Sequence, residues 1–275
     1  MVATRPVAAR HRPWQARGVT DIFSDDRFLD GRLLLRQPVK GHRIGTDALL
    51  LAAITPATGR VCDLGAGVGA VGLALALRGA PSVVLVERHP TFVSCAKHNI
   101  AFGGFGEQAT LSEADVFDRQ GFLANPRLAD QSFDAVVTNP PFDQALRGRR
   151  SPSDLKRAAH AMQGGALADW LKTAARLLRD GGVFSMIHRA DRLADILAAM
   201  PSRLGGLAVM PVLPKADEAA TRLLIRATAD SRAALTLLPP FVLHGSDGAF
   251  TPAARHIHEG RATLSMRPGP QIIPL

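Results

Sequence analysis

The sequence predicts an α/β protein: a doubly wound, mostly parallel sheet with an antiparallel edge strand. Three observations carry that expectation. Short apolar runs rich in Val, Leu and Ile alternate with helical patterns between residues 60 and 200, as repeated strand–helix units do in a sheet covered on both faces. The first run ends in a glycine loop, Asp63-Leu64-Gly65-Ala66-Gly67-Val68-Gly69. Two late runs, GLAVMPVL and TRLLIRAT, follow one another with no clear helix between them, so an antiparallel pairing can join the sheet there.

Residues 1–20 carry Arg5, Arg10, Arg12 and Arg17 with no acid and no apolar period. They read as a flexible basic arm ahead of a single domain over 21–275 with short extensions at each end. The arm lacks the apolar stretch of a secretory signal. A strand is expected at Arg32–Gln37, and Thr46 or Asp47 can cap a short helix running through Ala53. RVCDLGAG is a strand entering the glycine loop, and AVGLALALRG an apolar helix closed by Gly79. PSVVLVE is a buried strand, TFVSCAKHNIAF a helix, GGFG a turn and ATLSEAD a third strand. VFDRQGFLA is a short helix, and FDAVVTNPPF a fourth strand stopped by two prolines. QGGALADWLKTAARLLRDGG is an amphipathic helix with its own stop signal, with Trp170 on its apolar stripe. VFSMIHR and DRLADILAAM supply the fifth strand and helix.

Composition excludes several classes. Of the 275 residues 47% are hydrophobic and 21% charged, which excludes disordered, collagenous and coiled-coil chains. No run approaches the ~18 apolar residues of a membrane helix. Two cysteines, Cys62 and Cys95, are too few for a disulfide framework or a closed zinc site, and read as buried thiols of a reducing, cytoplasmic setting. His256 and His258 are the one close histidine pair, with no Cys or acidic cluster to complete a metal set. His188, ending the fifth strand, reads as a surface residue. The net charge of +9, carried almost wholly by Arg, suits a polyanionic partner.

The glycine loop and its successor carry the first chemistry. Glycines at a strand-to-helix turn let backbone N–H groups approach a ligand at the helix N-terminus. Gly67, Gly69 and Gly72 fit the G-x-G-x-x-G pattern, and Glu87 closes the next strand, where an acid can bind both hydroxyls of a ribose. A dinucleotide enzyme and an S-adenosyl-L-methionine (AdoMet) enzyme both fit. Asp63 favours AdoMet, because a carboxylate there can meet the methionine ammonium and would repel a pyrophosphate.

The fourth strand ends Asn139-Pro140-Pro141-Phe142. In a doubly wound sheet this tetrapeptide faces the same crevice as the glycine loop. An exocyclic or amide NH₂ is a poor nucleophile because its lone pair is delocalised. The Asn139 side-chain oxygen and the Pro140 carbonyl can each accept one N–H and aim that lone pair at a methyl donor. The prolines fix the backbone that presents both acceptors, and Phe142 can stack on a planar base.

These residues together resemble the class I AdoMet-dependent amino-methyltransferases, whose fold is Rossmann-like. The whole chain is more closely similar to the bacterial tRNA(Val) adenine-N6 methyltransferase family. The similarity is carried by Gln37-Pro38, the run Gly41 to Ala53, DLGAGVGAVGLALA, NPPF and the later Leu243-His244-Gly245 with Asp247 to Pro252. It implies AdoMet as cofactor, RNA and most of all tRNA as partner, no metal and no membrane. It implies cofactor contacts from Asp63, Gly65, Ala66, Gly67, Glu87, Arg88, Asp115, Val116 and Asn139. Asp115 would meet the adenine amino group with the Val116 N–H on a ring nitrogen, or else Asp115 caps the following helix. Arg43, Thr46 and Asp47 would line the methionine side of the pocket, or else form a capped helix entry. The chain departs from the family in having no Tyr, so His42 and Phe250 stand where relatives carry one.

Asn139, Pro140 and Phe142 are thus the expected catalytic residues. Pro141 and Phe142, with Arg147, Arg149 and Arg150 from the basic stretch 144–160, are the expected substrate-binding residues. That stretch is either a solvated loop or an arm gripping phosphates beside a flipped base. Adenine-N6 methylation of tRNA stands first among the functions, with guanine-N2 methylation of rRNA and glutamine-N5 methylation of a protein as alternatives.

Overall fold

The computed structural model describes residues 22–40, 43–140 and 166–275. The basic arm, Pro141, Phe142, Arg147, Arg149 and Arg150 lie outside the described residues.

A hairpin comes first, β1 (Phe23–Phe28) paired antiparallel with β2 (Leu33–Pro38). Only the second of its strands is legible in the sequence, because β1, FSDDRF, is polar and half-exposed. The hairpin precedes α1 (Thr46–Ile54), β3 (Arg60–Leu64), α2 (Ala70–Leu77), β4 (Ser82–Glu87), α3 (Pro90–Phe102) and β5 (Ala109–Glu113). Next come α4 (Arg119–Leu123), β6 (Phe133–Thr138), α5 (helical over 166–177), β7 (Leu178–Arg189) and α6 (Leu193–Ala199). The chain continues through β8 (Leu204–Leu213), β9 (Arg222–Ala229), β10 (Thr236–Leu237), β11 (Phe241–Val242), α7 (Pro252–His258), β12 (Ala262–Leu264) and β13 (Ile272–Pro274).

The main sheet has the order β10-β8-β9-β7-β6-β3-β4-β5, with β11 also on β8. Strands β3 to β7 are parallel. The expected antiparallel strand is β9, and it is inserted between β7 and β8 rather than lying outermost. β8 therefore runs parallel to β7, and its outer edge is covered in turn by β10 and β11. Unpaired N–H and C=O groups along an edge favour such added strands.

The strand order places β6 directly beside β3, with Leu64 opposite Thr138. The glycine loop and Asn139 therefore leave the sheet side by side at one crevice. The central strands read as continuous apolar runs because both of their faces are buried. Val61, Val83, Leu85, Ala135 and Val137 point into one core with α1, α2 and α7. Cys62, Leu64, Val84, Val86 and Val136 alternate into a second core with Trp170, Leu171, Ala174 and Ile196, as the two-residue strand period requires. α2 is apolar on all sides because seven of its residues, Ala70 to Ala76, are buried between α1 and the sheet. Among the described residues no helix is long and apolar enough to cross a membrane.

Candidate active site

The floor of the crevice is the turn after β3. The Gly65 and Ala66 N–H groups both donate to the Val86 carbonyl at 2.9 Å, which ties the loop to β4. Gly65 has φ +75°, and a Cβ there would come within 2.8 Å of the Trp170 ring. Only glycine therefore fits. Gly67, with φ +57°, has open space where a Cβ would stand, so its backbone borders the crevice. The Gly67 N–H donates to Glu87 Oε2 at 2.8 Å, while Oε1 accepts from the Arg88 and His89 N–H groups at 2.8 Å each. Glu87 thus holds its own turn and the loop together across the pocket floor.

Asp63 is the fourth residue of β3. It is 2% exposed, and its Oδ2 accepts the Gly72 N–H of α2 at 2.8 Å. One of its two carboxylate oxygens is thus engaged within the fold. The even–odd alternation of β3 turns it toward α2. Burial pushes the Asp63 carboxyl up to about 7, with the Glu87 charge adding to the rise and the Gly72 hydrogen bond opposing it. The folded protein then keeps a proton that the unfolded chain releases near pH 4. Stability is unpenalised below that pH and falls as pH rises to about 7. Asp63→Asn, whose amide oxygen can still accept from Gly72, is expected to flatten the dependence of the unfolding midpoint on pH between about 4 and 7. Equal slopes in thermal melts of both proteins would refute the assignment.

Asp115 and Arg88 form an ion pair at 2.7 Å across the loops after β5 and β4. Asp115 Oδ1 also accepts the Phe117 N–H at 2.9 Å. Asp115 does not cap α4; that role falls to Asp118, whose side chain accepts from the Gly121 N–H. Val116 is buried, and Phe117 is 38% exposed beside it.

The entry segment is held by ion pairs rather than by a side-chain cap. α1 is capped by Gly45, and neither Thr46 nor Asp47 bonds a backbone N–H at its start. Asp47 pairs with Arg222 at the start of β9, and Arg43 with Asp26 of β1, both at 2.8 Å. Asp26 also accepts from Ser24 and from Gln37. These bonds and the Arg43 charge outweigh burial and hold its carboxyl below the usual range. Gln37 is 2% exposed and accepts the Ile44 N–H at 2.7 Å, which explains its place in the Gln37-Pro38 motif. Asn99 of α3, 1% exposed, accepts the Arg36 N–H and donates to the Arg36 and Val68 carbonyls. It clamps the hairpin to the glycine loop. The helical pattern of its segment gave no sign of that role.

The end of β6 completes the site. Asn139 follows Thr138, and its Oδ1 is buried with no hydrogen-bond partner among the described residues. Pro140 behind it is buried. An orphaned buried acceptor costs about 1–3 kcal/mol, so it invites a donor from a ligand. Thr138 Oγ1 donates to the Leu64 carbonyl at 2.7 Å and accepts the Trp170 indole N–H at 2.9 Å. Trp170 is core, as its helical stripe indicates, yet it also touches the site. His188 is 7% exposed rather than superficial. Among the described residues no group of His, Cys, Asp and Glu could hold a metal ion.

The open backbone at Gly67, the Glu87 carboxylate at a strand end and the Asp115 side chain in the loop after the neighbouring strand suit a ribose and a base carried by a small cofactor. A family described as the methyltransferase small domain matches residues 40–200. A tRNA1(Val) (adenine(37)-N6)-methyltransferase of Porphyromonas gingivalis is 28% identical over 260 residues, 90% of this chain and 97% of that protein. One of the same name from Aeromonas hydrophila is 30% identical over 190 residues, 67% of this chain and 75% of that protein. A crystal structure described as a predicted O-methyltransferase from Agrobacterium tumefaciens is 33% identical, with a TM-score of 0.66 over 79% of this chain and 97% of that one.

Proposed function

The chain belongs to the methyltransferase small-domain family of AdoMet-dependent methyltransferases, and from that premise we propose that it methylates an exocyclic amino group of RNA, adenine N6 of a tRNA. The observation that carries the reading is the buried, unpartnered Oδ1 of Asn139 beside the glycine loop.

In this reading Glu87 receives the ribose hydroxyls of AdoMet, and Asp115 receives its adenine amino group. Gly65, Ala66 and Gly67 set the loop that borders its methionine part. The cofactor supplies an electrophilic sulfonium methyl. Asn139 Oδ1 and the Pro140 carbonyl accept the two N–H bonds of the acceptor, localising the nitrogen lone pair and aiming it. The nitrogen's extra proton leaves to solvent after transfer, so no general base is required. Phe142 follows in sequence as the stacking surface for the base. A hydroxyl acceptor, as the name of the Agrobacterium relative implies, has one O–H rather than two and needs a group that removes its proton. Asn139 offers an acceptor and cannot remove a proton.

The tRNA preference rests on the named relatives and on the basic balance of the chain. Mass spectrometry of tRNA nucleosides from cells with and without the gene tests it: N6-methyladenosine is expected to disappear at one position. Loss of N2-methylguanosine from rRNA, or of N5-methylglutamine from a protein, would replace this acceptor with one of the alternatives.

The basic stretch 144–160 gives a second test. If Arg147, Arg149 and Arg150 contact phosphates, changing all three to Gln flattens the dependence of log affinity on log salt by about two units, at about 0.7–0.9 per contact. AdoMet affinity should not change. An unchanged slope in tRNA binding would remove the stretch from the RNA interface.

A further inference from the structure

We propose that Trp170 is a positioning residue that locks the cofactor loop and the acceptor-holding end of β6 into one mutual geometry. The proposal rests on the reading of Asn139 above. Trp170 stands in α5, is 7% exposed, and meets three separate parts of the crevice. Its ring lies against Gly65, so closely that a Cβ there would sit 2.8 Å from its Cζ2 atom. Its indole N–H donates at 2.9 Å to Thr138 Oγ1, one residue before Asn139. Its ring also packs edge-on against Phe117, two residues beyond Asp115, with centroids 5.7 Å apart and planes at 62°.

Core packing alone explains the ring and leaves the polar atoms unexplained. A buried indole N–H needs a partner, and here the partner is a hydroxyl that passes the connection on. Thr138 Oγ1 donates to the Leu64 carbonyl at 2.7 Å, at the last residue before the glycine loop. Trp170, Thr138 and Leu64 thus form a closed path from the loop, through the helix, to the strand end and back. Asn139 hangs from that path by one peptide bond. Its Oδ1 must meet an acceptor nitrogen while the loop holds the donor, and a displacement of about 1 Å between reacting groups can cost 10²-fold in rate. A rigid, dry connection between the two halves sets that distance without touching either reactant.

Thr138→Val removes the hydroxyl and keeps the shape, the Trp170 ring and the Gly65 contact. It is expected to lower single-turnover methyl transfer to unfractionated bacterial tRNA about tenfold, with AdoMet affinity within about twofold of wild type. Thr138→Ser, which restores the hydroxyl, should recover most of the rate. Trp170→Phe removes the N–H and thins the ring under Gly65, so it should lower both rate and AdoMet affinity. The double variant Thr138→Val with Trp170→Phe should transfer no more slowly than the slower single variant, because both break the same bond. Thermal melts report whether each variant is folded at the assay temperature.

A fluorescence measurement decides the coupling without any acceptor. In a Trp14→Phe background Trp170 is the one remaining indole, and AdoMet titration should change its emission in a saturable way. Thr138→Val should alter the size of that change. Trp170 emission in the Trp14→Phe protein that is insensitive to saturating AdoMet, or Val and Ser variants equally impaired in transfer, would overturn the positioning role. Wild-type protein that transfers nothing to tRNA, yet shows the fluorescence response and its alteration by Thr138→Val, would sink the RNA reading and keep this one.

Discussion

Asn139→Ala is expected to lower methyl transfer by about 10²-fold or more while AdoMet affinity stays within about twofold, the size typical of losing one preorganised hydrogen-bonding group. The side chain ends in an acceptor with no partner among the described residues. Nothing described in the fold depends on that oxygen, so its removal should not loosen the loop or the sheet. It should instead relieve a desolvation cost, and the variant should melt no lower than wild type. Single-turnover transfer and isothermal titration with AdoMet separate the two effects. A parallel fall in affinity and rate would make Asn139 structural.

Glu87→Ala should act on the other side of the pocket. Its carboxylate accepts the N–H groups of Gly67, Arg88 and His89, and in the proposed complex the ribose hydroxyls as well. A hydrogen bond to a charged group contributes about 1.5–3 kcal/mol, so the dissociation constant for AdoMet should rise roughly 10- to 100-fold. Rate at saturating AdoMet should change far less, because Glu87 lies away from the acceptor nitrogen's partner. Titration of the same variant is decisive for the cofactor assignment, since unchanged affinity would remove Glu87 from the site. NADH titrated into wild type tests the dinucleotide alternative, and a micromolar affinity would revive it.

The strand–helix alternation, the glycine loop and the Asn139-Pro140 strand end were legible because each is a local signal. Apolar runs bounded by turn residues announce central strands whatever packs on them. Glycines at positive φ and prolines at a strand end are backbone requirements written into the residue type itself. Strand β1 was not legible, because a half-exposed hairpin strand carries no apolar period. The start of α4 was not legible either: the expected pattern VFDRQGFLA begins at Val116, while the helix begins at Arg119 with Asp118 as its cap.

Sequence by itself determined the class of the sheet, the crevice at its strand ends and the residue types that chemistry at that crevice needs. Tertiary structure alone decided which way those side chains face. Asp63 turns under the loop toward Gly72 because strand residues alternate between faces, and the loop leaves β3 one residue later. Asp47 and Arg43 are drawn to Arg222 and Asp26, partners 175 and 17 residues away in the chain, which no local pattern can pair. Trp170 joins the glycine loop to Thr138 only because the order of strands sets β6 beside β3. The hydrogen bond that gives this core residue its second role exists between elements, and so it has no signature within either one.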